Sequence, residues 1–432
     1  MYAGTADPLN ERTHFFSLPL DKLNTCSYNV SMNYSIQLEP MAKLARIGEI
    51  NGYEAAGDAP HAESTRPGCF TPAQPKSTRR ERNAAALRRS IMKVATPRGP
   101  KPVLRTMMTT ACERNCFYCP FRAGRSSAER LTLQPDELAD GFLRMQKAKL
   151  VDGLFLSSGI IGGGVRAQDK IIDTAEILRK KQSYPGYIHL KIMPGSEYEQ
   201  VRRSMQLADR VSINLEGATP GRLSSLAPQK EFWDDLMQRL LWTEQIRSTE
   251  RVRASSVTQF VVGAVGDTDL ELISLSEKLY RQARLSRVYY SSFYPVPDTP
   301  FEDLPPVSLK RQHRLYQASF LLRDYNWDTE DIGFGADQNL RLDVDPKQAW
   351  ADIHLQAAPI ELNRADRAEL LRVPGIGPKS ADRILSARSQ GTVTELQHLR
   401  ALGVPSPQKA APYVLLNGRQ PAFQMSLFPV TS

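Results

Sequence analysis

Long apolar runs are missing from this sequence: no stretch of about 18 consecutive apolar residues occurs, which excludes a membrane-spanning helix. Cysteine is scarce and odd in number, with Cys26, Cys69, Cys112, Cys116 and Cys119 the only five in 432 residues. A disulfide framework needs an even, scattered set in a small secreted chain, and this chain has neither property. The first twenty residues carry Asp7, Glu11 and His14 and no apolar core, so no secretory signal is expected and the protein is expected in the cytoplasm. Acidic residues are nearly absent between Lys76 and Arg105, where ten Lys and Arg stand against Glu81 alone. The net charge of +9 therefore resides in this block, and the rest of the chain balances. Such a block is either a solvated face or a footprint for a polyanion, most naturally nucleic acid.

What is present reads as a folded chain. At 41% hydrophobic and 24% charged residues, the sequence can bury a sizeable core. Its punctuation suggests an N-terminal extension and linker over 1–75, with a helix at 38–50 and a Pro/Gly/Ser/Thr-rich run over 55–78. A basic arm follows over 76–102. From Val103 short apolar runs alternate with amphipathic windows, the pattern of βα units around a parallel sheet. Strands are expected at 103–109, 153–158, 187–193, 210–215, 257–263 and 287–293, and helices at 136–147, 168–182, 197–207, 231–246, 269–282 and 309–325. Six units are too few for a closed barrel of eight. The expected fold is α/β, a partial (β/α)6 TIM-like barrel over 103–330, then a connector over 331–359 and a small all-α domain over 360–418. A flexible tail occupies 419–432. Polar His189 and Lys191, and Ser212, Asn214 and Glu216, alternate with aliphatic residues on the third and fourth strands. Polar side chains inside a barrel are costly unless they meet one another, water or a ligand, so an interior active-site cavity is expected.

The sharpest local signal is Cys112-Glu-Arg-Asn-Cys116-Phe-Tyr-Cys119, directly after the first barrel strand. Three thiolates within eight residues can converge on one inorganic centre. Zinc wants a fourth ligand, and no further Cys or His lies nearby; a 4Fe-4S cluster with one open iron suits a set of three. Buried inert thiols are the remaining alternative. The spacing, with Tyr118 just before the last cysteine, resembles the radical S-adenosylmethionine enzymes over residues 103–325. In that family the open iron chelates S-adenosylmethionine, whose reductive cleavage gives a 5′-deoxyadenosyl radical that abstracts hydrogen. The electron would come from a partner such as flavodoxin or ferredoxin.

The resemblance also implies cofactor contacts. Ser157-Ser158-Gly159 stands where the family has a Gly-Gly-Glu-like segment for the amino group, though the acidic residue is missing. Ser212, Asn214 and Glu216 correspond to the ribose-contacting segment, and Arg222 or Lys230 could hold the carboxylate. Gln259 and Gly263 correspond to the segment that packs the adenine, while Gly162-Gly163-Gly164 reads as a flexible loop. Catalytic candidates are His189, Lys191 and Tyr290, with Tyr289 and Tyr294 as further hydrogen donors. With no cysteine after Cys119, an auxiliary cluster for sulfur insertion and a methyl-carrying cysteine are both disfavoured.

Beyond Ile360 the sequence turns helical, with Asn363 a candidate N-cap for a helix over 364–372. Val373-Pro-Gly-Ile-Gly-Pro378 then breaks the chain before a helix over 379–388. This pattern resembles the helix-hairpin-helix module of DNA repair and recombination proteins. Gly375 and Gly377 let the backbone approach a phosphate, and Lys379 and Arg383 add charge. An ordinary αα-hairpin is the plainer alternative. A degenerate second unit around Leu402-Gly403-Val404, with helices over 395–401 and 406–415, would follow. Barrel, basic arm and hairpin together resemble a bacterial radical S-adenosylmethionine family associated with DNA modification or repair. They imply a DNA-directed enzyme whose DNA binding is largely non-specific. An RNA-modifying enzyme and a repair-associated binding protein with a structural cluster are the rival readings. Finally, Gln424, Leu427 and Phe428 resemble the peptide that attaches proteins to the replication sliding clamp, the alternative being a tail folded onto its own protein.

Overall fold

A computed structural model describes residues 39–50, 85–94 and 99–423, with the side chains of 49 and 50 left aside. The expectations for Cys26, Cys69, Gln424, Leu427 and Phe428, and for residues 76–84 and 95–98 of the basic arm, lie outside these residues.

Seven strands form one sheet in chain order. They are β1 (Ile91–Val94), β2 (Lys101–Met107), β3 (Gly153–Ser157), β4 (Tyr187–Lys191), β5 (Arg210–Ser212), β6 (Ser255–Val262) and β7 (Arg287–Ser292). The pair β1–β2 is antiparallel, and every later neighbouring pair is parallel. The six parallel strands are those expected, so the architecture is a partial barrel. The edge strand β1 is additional. Its Ile-Met-Lys-Val sequence shows no clean alternation and sits within the basic block, so it read as an arm.

Helices follow the parallel strands and cover the outer face. They are α2 (Pro135–Lys147), α3 (Gly163–Glu176), α4 (Tyr198–Leu207), α5 (Pro220–Leu226), α6 (Gln238–Thr249), α7 (Asp269–Gln282) and α8 (Leu309–Asp324), with α1 (Pro40–Ile50) packed on α2. The burial pattern explains the arrangement. Outward residues Leu154, Leu156, Ile188, Leu190, Val211, Phe260 and Val288 are fully buried beneath helices. Inward Phe155, His189, Lys191 and Gln259 are only half-buried. One face of the sheet thus supplies the hydrophobic core, and the other is a polar, solvent-reachable interior.

Several expectations need correction. Gly162-Gly163-Gly164 is not a loose loop: Gly162 is the N-cap of α3, and the helix starts at Gly163. The Glu113 carboxylate accepts both the Gly162 and Gly163 amides, at 2.9 and 3.0 Å, and so satisfies amides that a helix start leaves unpaired. The α5 helix was missed although Thr219, which accepts the Arg222 amide, and Pro220 form a recognisable start. The expected strand 210–215 is regular only to Ser212, because the chain then turns to place Glu216 at φ +65°.

At the C-terminus, α9 (Pro346–His354) leads to α10 (Arg367–Arg372), α11 (Pro378–Arg388) and α12 (Leu396–Ala401), around a second hydrophobic core of Leu370, Ile384, Leu399 and Val404. Asp366 caps α10, not Asn363; the Asn363 side chain instead pairs with both backbone groups of Val393. The second expected unit is incomplete. Pro407 and Pro412 limit 406–415 to two short 3-10 turns and the strand β9 (Val414–Leu415), which pairs in parallel with β8 (Ile360–Glu361).

Candidate functional sites

The segment from Thr109 to Thr132 leaves β2 and returns beside its point of departure. Its neck is closed by Thr109, whose hydroxyl meets Thr132 Oγ1 at 2.7 Å, and by Thr110, whose hydroxyl donates to Glu129 O at 2.7 Å. Inside the excursion the Arg130 guanidinium donates to the carbonyls of Thr110, Phe121, Arg122 and Arg125 at 3.0, 2.7, 2.7 and 3.4 Å. The loop that carries the three cysteines is therefore fixed by its own backbone. Burial lowers the Arg130 pKa, against the pull of Cys112 and Cys119, but a guanidinium stays charged at any working pH.

Cys116 is buried, and Cys112 and Cys119 are half-buried. Burial pushes the Cys116 thiol up, against the pull of Lys230. Backbone amides point at two of the sulfurs: Ile160 N–H at Cys112 Sγ (3.5 Å) and Phe121 N–H at Cys119 Sγ (3.4 Å). Such bonds stabilise thiolates that ligate a metal centre. Among the described residues no three Cys, His, Asp or Glu side chains meet closely enough to hold a single ion. The three thiols nevertheless line one cleft together, a set that could ligate three irons of a 4Fe-4S cluster.

Close backbone contact joins this loop to the end of β3. A Cβ at Gly159 would lie 2.1 Å from Ala111 O, so only glycine is tolerated there. The cleft so formed at the C-terminal ends of the strands is lined by Cys112, Cys116, Tyr118, Cys119, Ser158 and Gly159. Lys191, Asn214, Glu216, Lys230, Gln259 and Tyr294 complete its polar wall.

Glu216 is the centre of this wall. It is 4% exposed, adopts a left-handed backbone that costs a non-glycine residue energy, and pairs with Lys230 at 3.3 Å. Tyr118 also hydrogen-bonds it, and burial raises the tyrosine pKa well above its ordinary value. Burial would lower the Lys230 pKa, but Cys116, Glu216 and Cys119 outweigh it and raise the value.

Other candidates lie elsewhere. Arg222 pairs with Glu271 and donates to Val265 O at 2.7 Å, so of the two proposed cations it is Lys230 that lines the cleft. Gly263 donates its amide to the Asp267 carboxylate outside the lining. Tyr290 points outward from the barrel, where its hydroxyl meets Ser276 Oγ at 2.7 Å under α7. Ser157, Ser212 and His189 lie on the inner face but not in the lining. The clamp residue Arg130 was not foreseen; an isolated arginine carries no sequence signal for this role.

In the C-terminal module, Gly375 turns the chain at φ +86° between α10 and α11, and Gly377 is the N-cap of α11. Gly375, Lys379 and Arg383 are exposed. The Arg383 guanidinium reaches toward Gly403, the turn of the degenerate second unit, and Ser380 Oγ donates to Gly403 O at 2.8 Å. Two glycine turns thus sit side by side above the N-terminal part of α11. From below, buried Lys347 donates to Ile376 O at 2.5 Å and lies 4.7 Å over the Tyr325 ring. Arg372 is held between Trp327 and Trp350 and pairs with Asp331 at 2.8 Å, tying the hairpin to the connector.

Comparison with known proteins gives three findings. The helix-hairpin-helix motif model matches residues 360–387. No curated protein sequence matches the chain. Solved structures that match include methylornithine synthase PylB, at 14% identity over 51% of this chain and 61% of that one, with a TM-score of 0.42. The [FeFe]-hydrogenase maturase HydG from Carboxydothermus hydrogenoformans matches at 16% identity over 51% of each chain, with a TM-score of 0.38. The radical S-adenosylmethionine methyltransferase TsrM from Kitasatospora setae matches at 11% identity over 51% of this chain and 40% of that one, with a TM-score of 0.37. The chain spans two fifths to three fifths of the length of these structures. Among the described residues no helix is long and apolar enough to cross a membrane.

Proposed function

We propose that this chain is a radical S-adenosylmethionine enzyme that modifies or repairs DNA. The observation that carries the reading is a clamped Cys112/Cys116/Cys119 loop at the mouth of a partial barrel, in one chain with a helix-hairpin-helix motif. When bound, a 4Fe-4S cluster and S-adenosylmethionine supply one-electron chemistry that ends in hydrogen abstraction from the substrate. The three cysteines would hold the cluster. Lys230 offers a positive charge to the cofactor carboxylate, Gly159 a backbone group to its amine, and Asn214 and Glu216 polar groups to its ribose. Gln259 lines the wall expected to face the adenine. Apolar Met193, Leu236, Phe293 and Val296 complete the lining and limit water.

The hairpin supports the nucleic-acid half of the reading. The exposed turn residue Gly375 before α11, with exposed Lys379 and Arg383, suits phosphate oxygens irrespective of sequence. A base stacked in a duplex cannot reach a barrel interior, so an extruded or damaged nucleotide is the expected substrate. A flavodoxin or ferredoxin is the expected electron donor, and the tail with Gln424, Leu427 and Phe428 is proposed to engage the sliding clamp. The decisive experiment combines anaerobic reconstitution with nucleoside mass spectrometry of DNA from cells lacking and overproducing the protein. A nucleoside whose abundance follows the protein supports the proposal. A change confined to RNA would move the substrate to RNA, and absence of S-adenosylmethionine cleavage would leave only a binding protein.

A further inference from the structure

Three polar atoms on neighbouring strands of the barrel's inner face have no hydrogen-bond partner among the described residues. They are Ser157 Oγ on β3, His189 Nε2 on β4 and Ser212 Oγ on β5. Ser157 and Ser212 are 2% and 5% exposed. Each of the three precedes by two positions a residue that lines the cysteine cleft, namely Gly159, Lys191 and Asn214. In the sheet register Ser212 lies level with Lys191, and His189 lies one inward-facing position lower, level with Phe155 and Arg210, so the three form a polar layer two rows deep on the inner face beside the cleft lining. Buried polar atoms are almost always paired, so three orphans on adjacent strands call for a missing partner.

The charge around this layer says what the partner is. Arg210 lies opposite His189 in the sheet register, and its guanidinium donates to the hydroxyls of Ser255 and Tyr289, both at 3.2 Å. These partners are neutral, so its charge is not compensated by them. Lys191, opposite Ser212, brings a second cation. The carboxylate that lines the cleft above, Glu216, is already paired with Lys230. The His189 ring stacks on Phe155 at 4.3 Å, which leaves the imidazole edge for a polar contact. Burial first, then the charges of Arg210 and Lys191, keep that imidazole neutral.

We propose that this layer is an oxyanion-binding subsite for a small or extruded substrate. Ser157, Ser212 and neutral His189 donate hydrogen bonds to a phosphate or carboxylate, and Arg210 and Lys191 balance its charge. The inference requires no cluster and no nucleic-acid polymer, so it stands or falls separately from the radical reading.

Calorimetric titration of the full-length, anaerobically purified protein tests it, with inorganic phosphate, acetate, deoxynucleoside 5′-monophosphates and the matching nucleosides as probes. At least one anionic probe should bind, and the nucleosides at least tenfold more weakly than their monophosphates if phosphate is the source. Preference for acetate over phosphate would identify a carboxylate source. The Ser157→Ala/Ser212→Ala double variant should lose at least tenfold in affinity with a thermal midpoint no lower than wild type, because it removes only unpaired hydroxyls. Arg210→Gln should lose affinity likewise, which separates this site from phosphate capture at the hairpin. No binding by any anionic probe, or wild-type affinity in both variants, would overturn the proposal.

Discussion

The cysteine loop and the hairpin turn are each gripped by one basic side chain that donates to backbone carbonyl oxygen. The grips differ in kind. Arg130 spreads its donors over four carbonyls and stays charged, so the cysteine loop is held at several points irrespective of pH. Lys347 gives a single bond to Ile376 O from a site 8% exposed, and burial drives its pKa down to about 7, with Asp345 opposing. A rigid multipoint clamp suits a loop that must present three thiolates in one geometry.

The largest expected effect follows from removing the rigid clamp. Arg130→Met leaves four loop carbonyls without this donor, and an unsatisfied buried group costs about 1–3 kcal/mol each. Denaturant unfolding should show a loss of about 3 kcal/mol or more, and reconstituted variant should retain less iron than wild type. If stability and iron content are unchanged, the loop is not held by this residue.

The single-point clamp should instead reveal itself through pH. Lys347 has a folded-state pKa below its unfolded value, so between about pH 7 and pH 10 the unfolded chain binds more protons, and stability rises with pH. This contribution is complete above the unfolded value and is lost as pH falls through about 7. Lys347→Met has no such dependence. Melting of both proteins between pH 6 and pH 10 should show wild type gaining on the variant as pH rises; parallel curves would contradict the assignment.

A smaller effect is expected on the exposed side of the hairpin. Lys379→Ala or Arg383→Ala should weaken DNA binding across all sequences and reduce the salt slope by about one for each lost phosphate contact. Wild-type affinity indifferent to salt between roughly 50 and 200 mM would remove the phosphate-contact account.

The sequence disclosed the barrel because short apolar runs alternate with amphipathic windows, and the polar-in, apolar-out alternation holds in β4 and β5. It disclosed the cysteine triad and the Gly375 turn because local spacing alone defines them. It did not disclose contacts made between distant segments. Arg130 and Lys347 look like any surface cation, and only the fold brings carbonyls to them. The choice between Arg222 and Lys230 depended on Glu271 of α7, distant in sequence, which pairs with Arg222. Tyr290 was misleading because an outward polar residue can be satisfied by a helix, here through Ser276 of α7. Pro407 and Pro412 marked the broken second hairpin unit, a signal outweighed by the surrounding helical pattern.

Loading the cysteine loop tests the central claim most directly. Anaerobically reconstituted wild-type protein should hold about four irons per chain and, with a strong reductant, convert S-adenosylmethionine to 5′-deoxyadenosine. Cys116→Ala should lose both, whereas the double replacement Cys26→Ala/Cys69→Ala should keep both. Full iron content and cleavage in Cys116→Ala would contradict the account.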